Sequence, residues 1–502
     1  MNNSKRQIIV HPVLFAIFFV VFLYEHNIQL VQSQDLILPL LISILLSVLI
    51  WIGLRFIIKN NKKTALIASL IVFVMFSYGH VFILIDDYSI NEIDVGKHRF
   101  LIIPYGIFSF VGIFYIIRTK GSLQNANIIA NIISITIITI SFINIGINAE
   151  QILFYEENNG DEKPFVSSKQ STPDIYYIIL DGYAGSDTLE EVFDYNNDFD
   201  ELLIERRFYS PTISHSNYPH SFISLASSLN MKYPNIPNNA DSDSALKLGH
   251  DLIRNNEVMK ILKSNGYTVV NFDSGWTSTR TMKIADLNVC GNNRLFNSEF
   301  LIILVRTSIL NPIYVKLFES DKRERILCTF SELSELQYNV KKPIFAFAHI
   351  MSPHPPYLFD SEGNFIIPDE IDASVKSNEK EKYLGQLKFV SKKTVETIDK
   401  ILQNSKEPPI IIIQSDHGSE VTMDWDNPTP DMFKERMNNI NFYYLPYNGT
   451  RLLYETITPV NSFRIIFNYY FNENYELLED KIYFNVGAAN LHNFTDITSI
   501  LR

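Results

Sequence analysis

The sequence predicts an α/β domain, with a mostly parallel sheet flanked by helices, preceded by a five-helix transmembrane domain. Three observations carry this expectation. Residues 1–147 hold five long apolar runs. After Pro173, four short apolar runs rich in β-formers alternate with helical patterns. Each of those four runs is followed by an acid or an imidazole. Composition narrows the function classes. Of 502 residues, 46% are hydrophobic and 20% charged, which excludes a disordered chain. The net charge of −12 argues against a nucleic-acid binder, which needs a basic surface. Two cysteines exclude a disulfide-dense scaffold and a four-cysteine zinc site. No Cys-x-x-Cys, Walker loop, Gly-x-Gly-x-x-Gly or His-Glu-x-x-His is present.

The five apolar runs cover 8–24, 36–58, 64–85, 100–117 and 126–147. A helix crosses a bilayer core with about 20 apolar residues. The first run starts near Met1 but meets Glu25 and His26 and no small-residue cleavage site, so it reads as a retained span. Lys5 and Arg6 precede run one; Arg55, Lys59, Lys62 and Lys63 sit between runs two and three; Arg118 and Lys120 sit between runs four and five. The loop after run three sets Lys97 and Arg99 against Asp86, Asp87, Glu92 and Asp94. Cationic loops stay in the cytoplasm. The N-terminus is therefore expected inside the cell membrane, and five spans place the rest on the outer face. The expected domains are a membrane domain at 1–147, a polar linker at 148–172 and an exterior domain at 173–502. Cys290 and Cys328 both fall in that exterior part, as a disulfide or as two buried thiols.

In the exterior part the strand-like runs are Ile175–Leu180, Thr268–Phe272, Ile344–Ala348 and Ile410–Gln414. Continuous apolar runs of this length suit strands buried on both faces. Helical patterns lie at Asp198–Arg206, Ala245–Lys263 and Lys382–Gln403. Parallel strands bring their C-terminal ends to one sheet edge, where ligands bind in open α/β sheets. Asp181, Asp273, His349, Asp416 and His417 are then expected to converge, although Asp-Gly and His-Gly are also ordinary turn dipeptides.

Asp181, Asp416 and His417 supply oxygen and nitrogen ligands suited to one divalent ion, manganese, zinc or magnesium. Ser221 opens an apparent helix (FISLASSLNM) after Pro219-His220. A serine there is ordinarily an N-cap, but free N–H groups and the helix dipole also favour an anionic nucleophile. Thr212, Ser214, Ser216 and Ser224 are the neighbouring alternatives. Trp276, after Asp273-Ser274-Gly275, is a candidate contact for a glycerol or sugar, or a core tryptophan. Arg436 is a candidate for phosphate oxygens, or a solvated helix charge.

Asp181-Gly182 after a buried strand, Ser221 about forty positions on, and Ser415-Asp416-His417-Gly418 resemble the alkaline phosphatase/sulfatase superfamily over residues 173–425. Met351-Ser352-Pro353-His354-Pro355-Pro356-Tyr357 is similar to the Pro-His-x-Pro segment of sulfatase-type domains. Five spans followed by such a domain are similar to lipoteichoic acid synthases and lipid A phosphoethanolamine transferases. The resemblance implies Asp181, Ser221, Asp416 and His417 as metal ligands and Ser221 as nucleophile. It implies His354, with His349 beside it, as contacts for the transferred group or leaving oxygen. Asp273, Trp276 and Arg436 stand as substrate candidates. Two departures matter. Ser221 is followed by Phe222-Ile223-Ser224-Leu225, without the Cys/Ser-x-Pro-x-Arg of formylglycine sulfatases. A second metal's ligand set has no match, so one metal is expected. The expected activity is transfer or hydrolysis of a phosphoglycerol- or phosphoethanolamine-type group, from a membrane lipid donor to an envelope glycan or lipid. The alternatives are a sulfuric ester hydrolase and a non-catalytic glycan-binding or scaffold relative.

Overall fold

The computed structural model describes residues 8–27, 33–85, 89–90, 93–94, 98–156, 173–237, 240–291, 299–366, 379–487 and 490–502. Lys5, Arg6, Asp86, Asp87, Glu92, Lys97 and linker residues 157–172 lie outside them. The chain forms two compact units, one of residues 1–161 and 293–319, the other of 162–292 and 320–502.

In the first unit the helices are α1 (His11–His26), α2 (Ile37–Ile58), α3 (Asn61–Ile85), α4 (His98–Arg118) and α5 (Gln124–Glu156). Two-residue strands β1 (Ser89–Ile90) and β2 (Ile93–Asp94) pair before α4. Among the described residues four helices, α2 to α5, are long and apolar enough to cross a membrane. The first run differs from the expectation of five full-length spans: α1 has 16 residues. At 1.5 Å per residue that is about 24 Å, short of a core of about 30 Å. Its N-terminal end is finished by neighbouring helices. Asn131 Oδ1 accepts from the N–H groups of Val10 (3.1 Å) and His11 (3.0 Å). The buried His11 ring bonds Ser69 Oγ (2.5 Å) and Asn127 Oδ1 (2.9 Å). In apolar surroundings such partners must come from protein.

The first unit also takes in residues 293–319, which the sequence reading placed with the exterior domain. Cys290 and Cys328 are bonded to each other, Cα to Cα 5.7 Å, so this excursion is closed at its base.

The second unit starts with β3 (Ile175–Leu180), then α6 (Ser186–Phe193), α7 (Phe199–Glu205), α8 (Ser221–Asn230), α9 (Ser242–Arg254) and α10 (Glu257–Ser264). Strands β4 (Thr268–Phe272) and β5 (Leu287–Val289) follow. After α11 (Glu299–Arg306) of the first unit come α12 (Asn311–Asn339), β6 (Ile344–Ile350), α13 (Glu379–Asn404) and β7 (Ile410–Gln414). The chain ends with α14 (Pro430–Met437), β8 (Asn441–Tyr444), α15 (Pro459–Tyr470), the pair β9 (Tyr483–Phe484) and β10 (Thr495–Asp496), and α16 (Thr498–Leu501).

The main sheet runs β5-β4-β6-β3-β7-β8. All neighbours are parallel except β7 and the edge strand β8, which are antiparallel. The sheet therefore matches the mostly parallel expectation, and β8 is its antiparallel edge strand. Strand β3 shows why its sequence reads as unbroken apolar. Tyr176, Ile178 and Leu180 face a layer with Leu189, Phe330, Leu333 and Leu387. Ile175, Tyr177 and Ile179 face the opposite layer with Leu225, Val258, Leu262 and Phe463. Side chains alternate across a pleat, so both faces need apolar residues. The expected helix at Ala245–Lys263 is two helices, α9 and α10. Asn256 breaks it by accepting the Met259 N–H at 2.8 Å as a new N-cap.

Replacing Cys290 and Cys328 by Ser is expected to cost the second unit about 2–4 kcal/mol, because a long loop loses its closure. Thermal melts of the detergent-solubilised full chain, with and without reductant, measure it; an unchanged melt would show that packing alone holds the two ends.

Candidate active site

Parallel register brings three strand ends together. Leu180 on β3 pairs with Ile350 on β6, and Ile179 with Gln414 on β7. The residues just past those ends come together. Asp181, Asp416 and His417 each offer a ligand atom, all within 4.8 Å of one another, and all three are buried. Gly182 turns the chain with φ +70°, and its N–H donates to Asp416 Oδ1 at 3.2 Å. The His417 N–H donates to the same oxygen at 3.1 Å. Asp416 Oδ2 is left without a hydrogen-bond partner, as are both Asp181 oxygens. The His417 Nδ1–H donates to Gly418 O at 2.9 Å, which fixes the tautomer and leaves Nε2 as an acceptor. That Nε2 lies 3.4 Å from Asp416 Oδ2 and 3.7 Å from Asp181 Oδ1. Three carboxylate oxygens without a hydrogen-bond partner, converging with an imidazole nitrogen, fit a divalent cation.

The electrostatics agree with that donor set. Burial pushes the Asp416 carboxyl up, and the Asp181 charge pushes it further, to about 6. Burial would raise Asp181 too, but His354 and then His349 outweigh it and hold Asp181 low. Burial, and then the Arg436 charge, keep His417 neutral, the form that ligates metal.

Ser221 is the first residue of α8, with His220 as N-cap residue, so it is not itself the cap. Its hydroxyl is thereby spared from capping and donates to His417 Nε2 at 3.2 Å. The first N–H groups of a helix lack internal acceptors, and here they open beside that hydroxyl. Neighbouring hydroxyls are spent elsewhere. Ser224 donates to Asp416 O (2.7 Å), Ser214 to Asn439 Oδ1 (2.8 Å), and Ser216 faces Met437 Sδ (3.9 Å). Thr212 is exposed.

His349 is buried, with Nδ1 bonded to Thr279 Oγ1 at 3.0 Å and Nε2 3.3 Å from Asp181 Oδ2. His354 donates from Nδ1 to Pro355 O at 2.6 Å and points Nε2 at Glu420 Oε1, 4.0 Å away. Burial opposes its protonation, but Asp181 and Glu420 raise its pKa overall. Its ring meets the His417 ring edge-on at 6.3 Å.

The weaker substrate candidates divide. Arg436 is buried, not a solvated helix charge: it donates to Pro219 O (2.7 Å), pairs with Glu420 Oε2 (3.1 Å) and lies over Trp425 (5.3 Å). Trp276 packs edge-on to His349 at 5.4 Å. Asp273 ends β4 but is absent from the ligand cluster; its carboxylate takes Arg325 Nη1 (2.5 Å) and the Gly275 N–H (2.8 Å). A buried ion pair already satisfied this way has little left to offer a substrate.

Three further residues support the site. Glu420 sits between His354 and Arg436. Buried Gln386 of α13 holds the histidine loop by donating to Pro353 O and His354 O, each at 3.1 Å, and by accepting the Leu358 N–H. Gly418 packs so tightly that a Cβ there would strike the carbonyls of Glu435 and Asn438. Only the place of Glu420 within Asp416-His417-Gly418-Ser419-Glu420 hinted at its role.

Residues 208–452 match the Sulfatase family. The match spans a little under half of the chain. The matched range contains Ser221, His349, His354, Asp416, His417 and Arg436 and begins after Asp181. No curated protein matches the chain in sequence. Among solved structures it is similar to the C-terminal periplasmic domain of EptC from Escherichia coli in complex with Zn: 12% identity, 67% of this chain and 96% of that one, TM-score 0.43. It is also similar to the integral membrane lipooligosaccharide phosphoethanolamine transferase A of Neisseria meningitidis: 9% identity, 88% and 89% covered, TM-score 0.38. A third likeness is the phosphonate monoester hydrolase of Agrobacterium radiobacter: 13% identity, 62% and 80% covered, TM-score 0.39.

Asp416→Asn is expected to weaken binding of Mn²⁺ or Zn²⁺ by more than about 100-fold, since it deletes a charge among the converging lone pairs. Calorimetry on the solubilised chain measures it, and unchanged affinity would place the ion elsewhere. Gly418→Ala is expected to melt earlier by about 1–3 kcal/mol, through overpacking against two carbonyls.

Proposed function

We propose that the chain is a membrane-anchored, metal-dependent phosphotransferase or phosphodiesterase acting on envelope lipids or glycans. One observation carries the reading: the Ser221 hydroxyl, at a helix N-terminus, meets the buried lone pairs of Asp181, Asp416 and His417. Residues 173–502 would be the catalytic part, 1–147 its anchor and 148–172 the link. The bonded Cys290 and Cys328 favour an oxidising compartment, and so the outer face of the cell membrane. That sidedness, with the N-terminus inside, requires α1 to pass the bilayer with α2 to α5.

Asp181, Ser221, Asp416 and His417 would hold one divalent ion. When bound, such an ion polarises a phosphoryl oxygen and favours the ionised form of a nearby hydroxyl. Ser221, its proton given up to water, bonds through its ionised oxygen to phosphorus as the bond to the leaving oxygen breaks, and it is released in the same ionised form when the acceptor takes the group. His354, whose pKa is raised, gives that oxygen a proton. The α8 N-terminus and the nearby Arg436 favour the negative charge on the transferred group. A second hydroxyl, or water, then takes the phosphoryl group from Ser221, and His354 recovers its proton from that acceptor. His349 lies beside Asp181 with Trp276 packed on it, and the pair would shape what binds there. A phosphoglycerol- or phosphoethanolamine-type donor suits a site tethered to lipid head groups.

The family match favours a second reading, a sulfate ester, for which the segment after Ser221 lacks the Cys/Ser-x-Pro-x-Arg pattern. One assay separates the readings. The full chain, supplied with Mn²⁺ or Zn²⁺, should cleave a chromogenic phosphodiester, and Ser221→Ala should lose at least about 10³-fold in turnover. A sulfate ester turned over in its place would favour the second reading. A folded chain that binds metal but turns over neither substrate, lipid donors included, would point to a non-catalytic envelope protein.

A further inference from the structure

The excursion at 293–319 contains the apolar stretch EFLIILVRTSIL, residues 299–310, which none of the proposed chemistry uses. Such a stretch is too short to span and reads as a buried or re-entrant segment. Within the first unit, Phe300, Leu301 and Leu304 of α11 are buried against Ala16, Phe19, Val20 and Leu23 of α1 and Val72 and Phe76 of α3. Beyond α11 the chain leaves the helical path, and its backbone pairs with α3. The Gly79 N–H donates to Thr307 O at 3.1 Å, and the Ile309 N–H donates to Met75 O at 2.8 Å. A Cβ on Gly79 would strike the Thr307 backbone, so Gly79 is a notch. Met75 and Gly79 lie inside the apolar window Asn61–Phe82 of α3. Non-helical backbone at that depth persists only where protein satisfies its polar groups. The buried hydroxyls of Thr307 and Ser308 are likewise spent within the segment, on Ile303 O and Val305 O.

We propose that residues 299–310 are a re-entrant anchor, seated on the Gly79 notch of α3, that the chain needs to work on a membrane-embedded donor. Its functional half rests on the phosphodiester reading above. Between Glu156 and Pro173 stand the residues 157–172. A link of that length reaches at most about 55 Å, enough to carry a site far from lipid head groups. The anchor is a second attachment, its two ends joined through Cys290 and Cys328.

The test uses the full chain in open membrane fragments, where the native cysteines are bonded and an introduced thiol is the reactive one. Leu477, 42% exposed, and Leu301, 2% exposed, are each replaced by Cys. A water-soluble maleimide should label Leu477→Cys and spare Leu301→Cys. Adding Gly79→Val should raise labelling at Leu301→Cys at least about tenfold, because the notch is filled. Equal labelling of Leu301→Cys and Leu477→Cys in the chain with Gly79 intact would overturn the anchor. In the second arm, Gly79→Val should lower release of head group from phospholipid vesicles at least about tenfold while leaving soluble diester cleavage unchanged. An undiminished vesicle rate, or an equal fall on both substrates, would overturn the functional half. No diester cleavage by the unaltered chain would count against the Ser221 reading and leave the labelling result standing.

Discussion

Two carboxylates buried side by side constrain everything around them. Asp181 and Asp416 are nearly inaccessible, and three of their four oxygens have no hydrogen-bond donor among the described residues. Burying one unpaired charge is costly; burying two in contact is stable only if a proton or a cation intervenes. The surroundings discourage the proton on Asp181 and make the neutral His417 a further lone-pair donor. The fold spends its most buried strands to hold this arrangement. β3 and β7, each apolar on both faces, end just before Asp181 and Asp416, so the cluster is as fixed as the sheet.

The strands and most of the site were legible because their signals are local. A run such as Ile410–Gln414 has no exposed face to give it a second period, and its polar end stands out. Asp181, Asp416 and His417 could be placed together because parallel strands must align their ends. Ser221 could be located to a helix start, but its role as first helical residue and not cap depends on the backbone angles of His220, which sequence does not show. Arg436 looked like one charge among several on a polar helix; its burial follows from Pro219, Glu420 and Trp425, residues distant in the chain or outside any motif.

Residues that act through space were the least legible. Asp273 sits at a strand end like the candidate ligands do, yet Arg325, more than fifty positions later, claims its carboxylate. The split at Asn256 was hidden because α9 and α10 keep apolar residues on compatible faces, and only an N-cap bond separates them. The stretch at 299–310 was invisible for another reason: its apolar residues are too few for a span and fit a core helix equally well.

The membership of residues 293–319 in the first unit means that neither unit is a continuous length of gene. A recombination that exchanged the first 161 residues for those of a relative would carry Gly79 away from the segment built to meet it. The two halves of this chain cannot then evolve as interchangeable cassettes. Substitutions at position 79 and across 299–310 should be inherited together, and that linkage should mark lineages in which the excursion exists.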